Sequence, residues 1–158
     1  MIVALCFLAA LHTGVSAASA YSFKLREIRS DEQYTLDKLT EGKVLIFHVW
    51  SPECPHCQRH MPYVAALSKK IDPEQVNFYM CSMVTDSNEA VDYLDGKKLS
   101  LPCFCGPCGS MSDAFSSNGW PTSYVFAPGG KFVGWCDTQS PAYVDEMLAL
   151  VDKALDTE

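Results

Sequence analysis

Residues 43–57 read Lys-Val-Leu-Ile-Phe-His-Val-Trp-Ser-Pro-Glu-Cys-Pro-His-Cys. From Lys43 to Trp50 the run is almost continuously apolar and rich in β-branched and aromatic side chains. Such a run, with no alternation, predicts a strand covered on both faces, as parallel sheets require. The run breaks at Ser51-Pro52, and a helix is expected from near Cys54. Met61, Val64, Ala65, Ser68 and Ile71 keep helical spacing, and Pro62 is expected to kink the helix. Cys54 and Cys57 therefore fall on a strand-to-helix junction.

That position has chemical consequences. Two cysteines separated by two residues on a first helical turn can close a small ring and open it without unfolding the chain. The first sulfur lies among unpaired N–H groups at the positive end of the helix macrodipole, which stabilises a thiolate. Cys54 is then the expected nucleophile, and Cys57, one turn deeper, the resolving thiol. The same residues could instead form an inert disulfide or half of a zinc site. The cysteines at 103, 105 and 108 could supply the other half, so a copper- or zinc-binding protein is the alternative reading.

Outward from this stretch the pattern alternates. Phe23–Ile28 reads as a short edge strand and Tyr34–Leu39 as a helical turn. Val76–Met83 reads as a second buried strand, Asn88–Leu94 as a short helix and Ser112–Ser117 as another. Ser123–Ala127 and Lys131–Cys136 flank Pro128-Gly129-Gly130, a hairpin turn. A last helix is capped by Ser140, started by Pro141 and striped by Val144, Met147, Leu148, Val151 and Leu155. No internal repeat or low-complexity linker interrupts the series.

Composition narrows the function. With 48% hydrophobic and 20% charged residues the chain is globular rather than disordered. Its net charge of −7, with no block of Lys and Arg, excludes nucleic acid as a natural partner. Ile2–Leu11 is an apolar run of leader length, and Val15-Ser16-Ala17 and Ala18-Ser19-Ala20 both fit a cleavage site. Residues 1–20 are expected to be a signal peptide cut after Ala20. An uncleaved N-terminal anchor is the other reading, because no basic residue precedes the run; only then would the protein touch a membrane. Either way residues 21–158 form the domain, in the periplasm or secreted. The chain holds 8 cysteines, and losing Cys6 with the leader leaves seven, a number suited to an oxidising compartment. Seven is odd, so pairing cannot use them all. Cys103-Phe104-Cys105-Gly106-Pro107-Cys108 is the densest group, and a bond from Cys103 or Cys105 to Cys108 is expected there.

The order strand–helix–strand–helix, hairpin, helix, with Cys-x-x-Cys after the first buried strand, resembles the thioredoxin fold: α/β, a central mixed sheet with helices on both faces. The resemblance runs from Ser22 to Leu155. It rests on Gly42-Lys43, Val49-Trp50-Ser51, Cys54 to Cys57, Met61-Pro62, Ser82 to Asp86, Gly119-Trp120-Pro121-Thr122 and Gly129-Gly130-Lys131. It is nearest to the exported thioredoxin-like branch associated with cytochrome c maturation and disulfide reduction. The resemblance implies a protein thiol–disulfide oxidoreductase that needs no cofactor and works on protein thiols and disulfides with a redox partner protein. It also implies a cis peptide before Pro121, facing the sulfurs, with Trp120, Pro121 and Thr122 along the substrate chain. His48 takes the place where many thioredoxins bury a proton-shuttling acid; a satisfied core histidine is the competing reading. A peroxidase of this fold would need a lone cysteine after a Pro-x-x-x-Thr turn, which is absent.

Two features conflict with the reductive branch. Pro55-His56 is the dipeptide of strongly oxidising exported dithiol oxidases, and His56, as donor or cation, would stabilise the Cys54 thiolate. Glu53 stands where an aromatic is usual and is expected to face solvent.

Overall fold

The computed structural model describes residues 24–83, 87–106 and 108–157. The leader and Pro107 lie outside these, as do the last three residues of the Ser82–Asp86 motif. The elements are β1 (Lys24–Glu27), β2 (Gln33–Thr35), α1 (Leu36–Leu39), β3 (Val44–Trp50), α2 (Pro55–Ser68) and β4 (Val76–Ser82). They continue with α3 (Ser87–Gly96), β5 (Cys103–Cys105), α4 (Ser110–Ala114), β6 (Thr122–Phe126), β7 (Phe132–Cys136) and α5 (Ala142–Leu155). One mixed sheet runs β2-β1-β5-β4-β3-β6-β7. β3 pairs with β4 in parallel and with β6 antiparallel. This is the mixed sheet of the thioredoxin fold, with β3 near its middle.

All seven residues of β3 are buried. Val44, Ile46 and Trp50 pack on one face with Met61, Val64 and Leu67 of α2, Ala90 and Leu94 of α3, and Tyr143, Met147 and Val151 of α5. Leu45, Phe47 and Val49 pack on the other with Leu36 and Leu39 of α1, and Met111 and Phe115 near α4. Helices thus cover both faces. This is why the strand reads as continuous apolar sequence: neither parity of its side chains meets water. Burying each such side chain stabilises the fold by about 1.5–3 kcal/mol.

The structure departs from the reading in instructive places. The strand expected at an edge, β1, is internal, paired with β2 on one side and β5 on the other. An edge strand, β2, takes the first two residues of the stretch Tyr34–Leu39 read as a helical turn; α1 takes the other four, and Thr35 caps it by accepting the Lys38 N–H at 3.5 Å. β5 falls where no strand was expected, because three residues carry no readable period. Pro62 lies inside α2, which continues past it to Ser68. α5 begins at Ala142 with Pro141, not Ser140, at the N-cap, although Ser140 Oγ, one residue earlier, accepts the Ala142 N–H at 3.3 Å. Leu155 is 39% exposed, and Ala154 takes its place on the buried stripe.

Candidate redox site

β3 ends at Trp50, and the chain turns through Ser51, Pro52 and Glu53 into α2. Cys54 is the N-cap, in extended conformation (φ −86°, ψ 112°), with Pro55 starting the helix. An N-cap side chain normally offers an oxygen to the open amides of the first turn. Here sulfur does so: Cys54 Sγ accepts the Cys57 N–H at 3.2 Å. Cys54 is partly exposed, whereas Cys57 is fully buried. Burial pushes the Cys57 thiol up to about 12, and its hydrogen bond to Cys54 adds to this. The two thiols of one short motif thus sit in opposite environments. One is open to an incoming sulfur and faces a donor; the other is held protonated until something draws on it.

The Trp120–Pro121 peptide is cis. Thr122, the first residue of β6, lies opposite Val49 of β3, so Pro121 stands at the end of the sheet where β3 leads to Cys54. Trp120 is 45% exposed, a rare exposure for a ring of that size. Thr122 is buried, and its hydroxyl donates to the Gly119 carbonyl at 2.8 Å. Asn118 ties this loop to the segment after β7 through Asp137, at 2.9 Å.

His56 is exposed on the first turn of α2. Its Nδ1 lies 3.0 Å from Arg59 Nη2 and 3.3 Å from Gln139 Oε1. Sequence reading passed over both neighbours. Arg59 is visible in retrospect at i+3 on the same helix; Gln139 arrives from 83 residues away and leaves no sequence signal. Glu53 faces solvent, as expected.

His48 lies in the core. Its Nδ1 is 2.8 Å from Ser123 Oγ, which is 2.7 Å from the Tyr143 hydroxyl. Its ring stacks on that of His60, centroids 5.4 Å apart, and Tyr143 abuts His60 edge-on at 4.4 Å. Burial, with the second imidazole alongside, holds His48 well below its ordinary value of 6.5. Burial takes His60 to about 4. Both rings are neutral at physiological pH, which argues against His48 as a proton shuttle titrating near neutrality; it is a core histidine partnered at Nδ1, while its buried Nε2 has no hydrogen-bond partner among the described residues. His60 was not singled out in the sequence, although it follows Cys57 by one turn on the same buried helix face.

The cysteine cluster corrects one expectation. Cys108 bonds Cys81, with Cα atoms 6.2 Å apart, and not Cys103 or Cys105. Strand alternation is the reason. On β5, Cys103 and Cys105 turn toward the α2–α3–α5 face, while Phe104 between them faces the other side with Cys81 and Cys108. Cys103, Cys105 and Cys136 are buried free thiols. Burial pushes Cys103 up to about 12 and Cys136 to about 11, the latter also bonding Glu146 Oε2 at 3.2 Å. Among the described residues no group of three or more His, Cys, Asp or Glu is gathered as for a metal.

A family model described as AhpC/TSA matches residues 17–135 of the chain. No curated protein matches it. Among solved structures it resembles DsbF of Mycobacterium tuberculosis, 17% identical with a TM-score of 0.66, the match covering 84% of this chain and 95% of that one. A secreted M. tuberculosis disulfide oxidoreductase homologous to E. coli DsbE is 16% identical at a TM-score of 0.64, covering 84% and 96%. StoA of Bacillus subtilis is 16% identical at 0.61, covering 80% and 93%. At these identities the likeness is one of fold.

Proposed function

The chain belongs to the AhpC/TSA family, and from that premise we propose that it is an exported thiol–disulfide oxidoreductase whose working dithiol is Cys54–Cys57. The observation that carries this is the asymmetry of the two thiols: Cys54 partly open at a helix N-cap, Cys57 fully buried and pushed up to about 12.

The steps follow from that asymmetry. In the reducing direction the Cys54 thiolate attacks one sulfur of a substrate disulfide. A mixed disulfide forms and one substrate thiolate leaves. Cys57 then loses its proton and attacks Cys54 Sγ; the Cys54–Cys57 disulfide forms and the second substrate thiolate leaves. The substrate has gained two electrons and the protein has lost them. In the oxidising direction the same bonds are made and broken in reverse. Protein thiols and disulfides are the substrates in this reading, and a redox partner protein resets the centre. Pro121 flanks the exchange, and the backbone from Trp120 to Thr122 receives the substrate chain, with the Trp120 ring as an apolar contact. His56 supports the thiolate from within the motif.

Export agrees with the cysteine content and with the buried Cys81–Cys108 bond, since such bonds persist outside the reducing cytosol. The M. tuberculosis relative in fold is itself described as secreted. In this reading residues 1–20 are the export signal and the protein is periplasmic or secreted.

Paired variants test the roles. Cys54→Ser should abolish exchange. Cys57→Ser should still attack but stall, so that disulfide-linked partners accumulate on non-reducing gels. Partners trapped by the Cys54 variant would reverse the assignment; none trapped by either would remove it.

A further inference from the structure

One atom of the redox motif is claimed by two neighbours that require different things of it. Arg59 Nη2 lies 3.0 Å from His56 Nδ1. A guanidinium has donors only, so Nδ1 must be bare to accept from it, and the proton of the neutral ring then sits on Nε2. Gln139 Oε1 lies 3.3 Å from the same Nδ1. A carbonyl oxygen only accepts, so this contact needs Nδ1–H. Both cannot hold at once. With Arg59 on the single lone pair of Nδ1, Gln139 Oε1 has no donor there; without Arg59, Nδ1–H to Gln139 becomes the available bond.

We propose that Arg59 is a positioning residue that sets the tautomer of His56, keeping the proton on Nε2 and so turning the ring's one N–H away from Arg59 and Gln139. The proposal rests on Cys54 being the exchanging thiol. His56 stands two residues after Cys54 in the first turn of α2, and helical side chains lean toward the N-terminus. The free Nε2–H is thus the edge available to an anionic sulfur at Cys54 or to the thiolate leaving a mixed disulfide. In the other tautomer that edge is a lone pair, which repels the same sulfur. No proton is consumed; the switch moves one proton between two nitrogens of one ring. Arg59 and Gln139 are both exposed, so the arrangement costs the fold little and exists where it can act on the motif.

Nitrogen-15 NMR of the whole protein reads the tautomer without any exchange activity, so it tests this point even where dithiol exchange fails. Wild type should show the Nε2–H form of His56. Arg59→Met should move the population to Nδ1–H, and Arg59→Lys, which keeps a donor, should restore it. The redox equilibrium with glutathione then separates the ring from plain charge. Arg59→Met should shift wild type several-fold toward the oxidised protein, and shift a His56→Leu protein clearly less. An unchanged tautomer in Arg59→Met, or equal shifts in the two backgrounds, would overturn the proposal.

Discussion

His48 and His60 stack in the buried core, and burial is the main cost of charging either. An unfolded histidine takes up its proton near 6.5, whereas folded His60 resists until about 4. Between those values the unfolded chain binds the proton and the folded one does not, so stability falls as pH drops. Above 6.5 neither form is protonated and the full stability is present. The depression amounts to about 3 kcal/mol by the time His60 charges, an order-of-magnitude figure. Urea titrations at successive pH values should show this acid loss, and His60→Leu should reduce it while leaving the part that belongs to His48. A midpoint independent of pH in the wild type would mean that the pair is hydrated. His56, by contrast, is exposed on the first turn of α2, beside the motif cysteines. In the proposed function, an N–H of His56 offered to the thiolate favours the reduced protein, so the disulfide becomes the better oxidant. The centre should be more oxidising than thioredoxin's roughly −270 mV, and His56→Pro should lower its potential. A wild-type value at or below that figure would make a reductase the better description.

Among the elements, the chain just after β5 is held by two single-residue constraints. The Cys81–Cys108 bond closes 27 residues between β4 and the approach to α4. In the chain-entropy account a loop of that length contributes about 3–4 kcal/mol. Cys81→Ala with Cys108→Ala should lose most of it in denaturant unfolding while leaving Cys54 and Cys57 able to exchange; a loss of exchange would place this bond in the working centre. Gly106 is a second constraint. Its φ is +157°, and a Cβ there would meet the Lys24 carbonyl oxygen at 2.9 Å. That oxygen is backbone of β1 and cannot swing away. Gly106→Ala should therefore destabilise by about 1–3 kcal/mol, more than Gly42→Ala, where the φ is +72° but the space is open. Equal costs would show that β1 yields.

At the scale of the molecule, three segments from distant parts of the chain converge at one end of the sheet: the first turn of α2, the loop through Trp120 and Pro121, and the stretch from Asp137 to Gln139. The Trp120 ring stands exposed on that rim. If it meets a substrate chain, Trp120→Ala should raise KM for a protein disulfide while leaving exchange with a small thiol such as dithiothreitol unchanged. Equal loss toward both would assign the ring to positioning the motif.

Much of this was legible along the chain. Lys43–Trp50 is unbroken apolar sequence because both faces of β3 are covered, and Cys54 and Cys57 announce a helix start by spacing alone. The hairpin at Pro128-Gly129-Gly130 and the Ser140 hydroxyl ahead of α5 are local chemistry, decided within a few residues. What the chain could not disclose depends on faces and distances. Three-residue strands such as β2 and β5 hold no period, so their existence is decided by the neighbours they pair with. Cys108 joins Cys81 rather than a closer cysteine because alternation along β5 turns Cys103 and Cys105 to the opposite side of the sheet. Burial, the quantity that separates Cys54 from Cys57 and silences His48, is a property of packing. Arg59 and Gln139 meet on His56 only once α2 and the segment before α5 are brought together. Local sequence thus determined the longer elements and the motif; tertiary structure decided the shortest strands, pairing, protonation and neighbours, because each of these depends on which side of a sheet or helix a side chain finally faces.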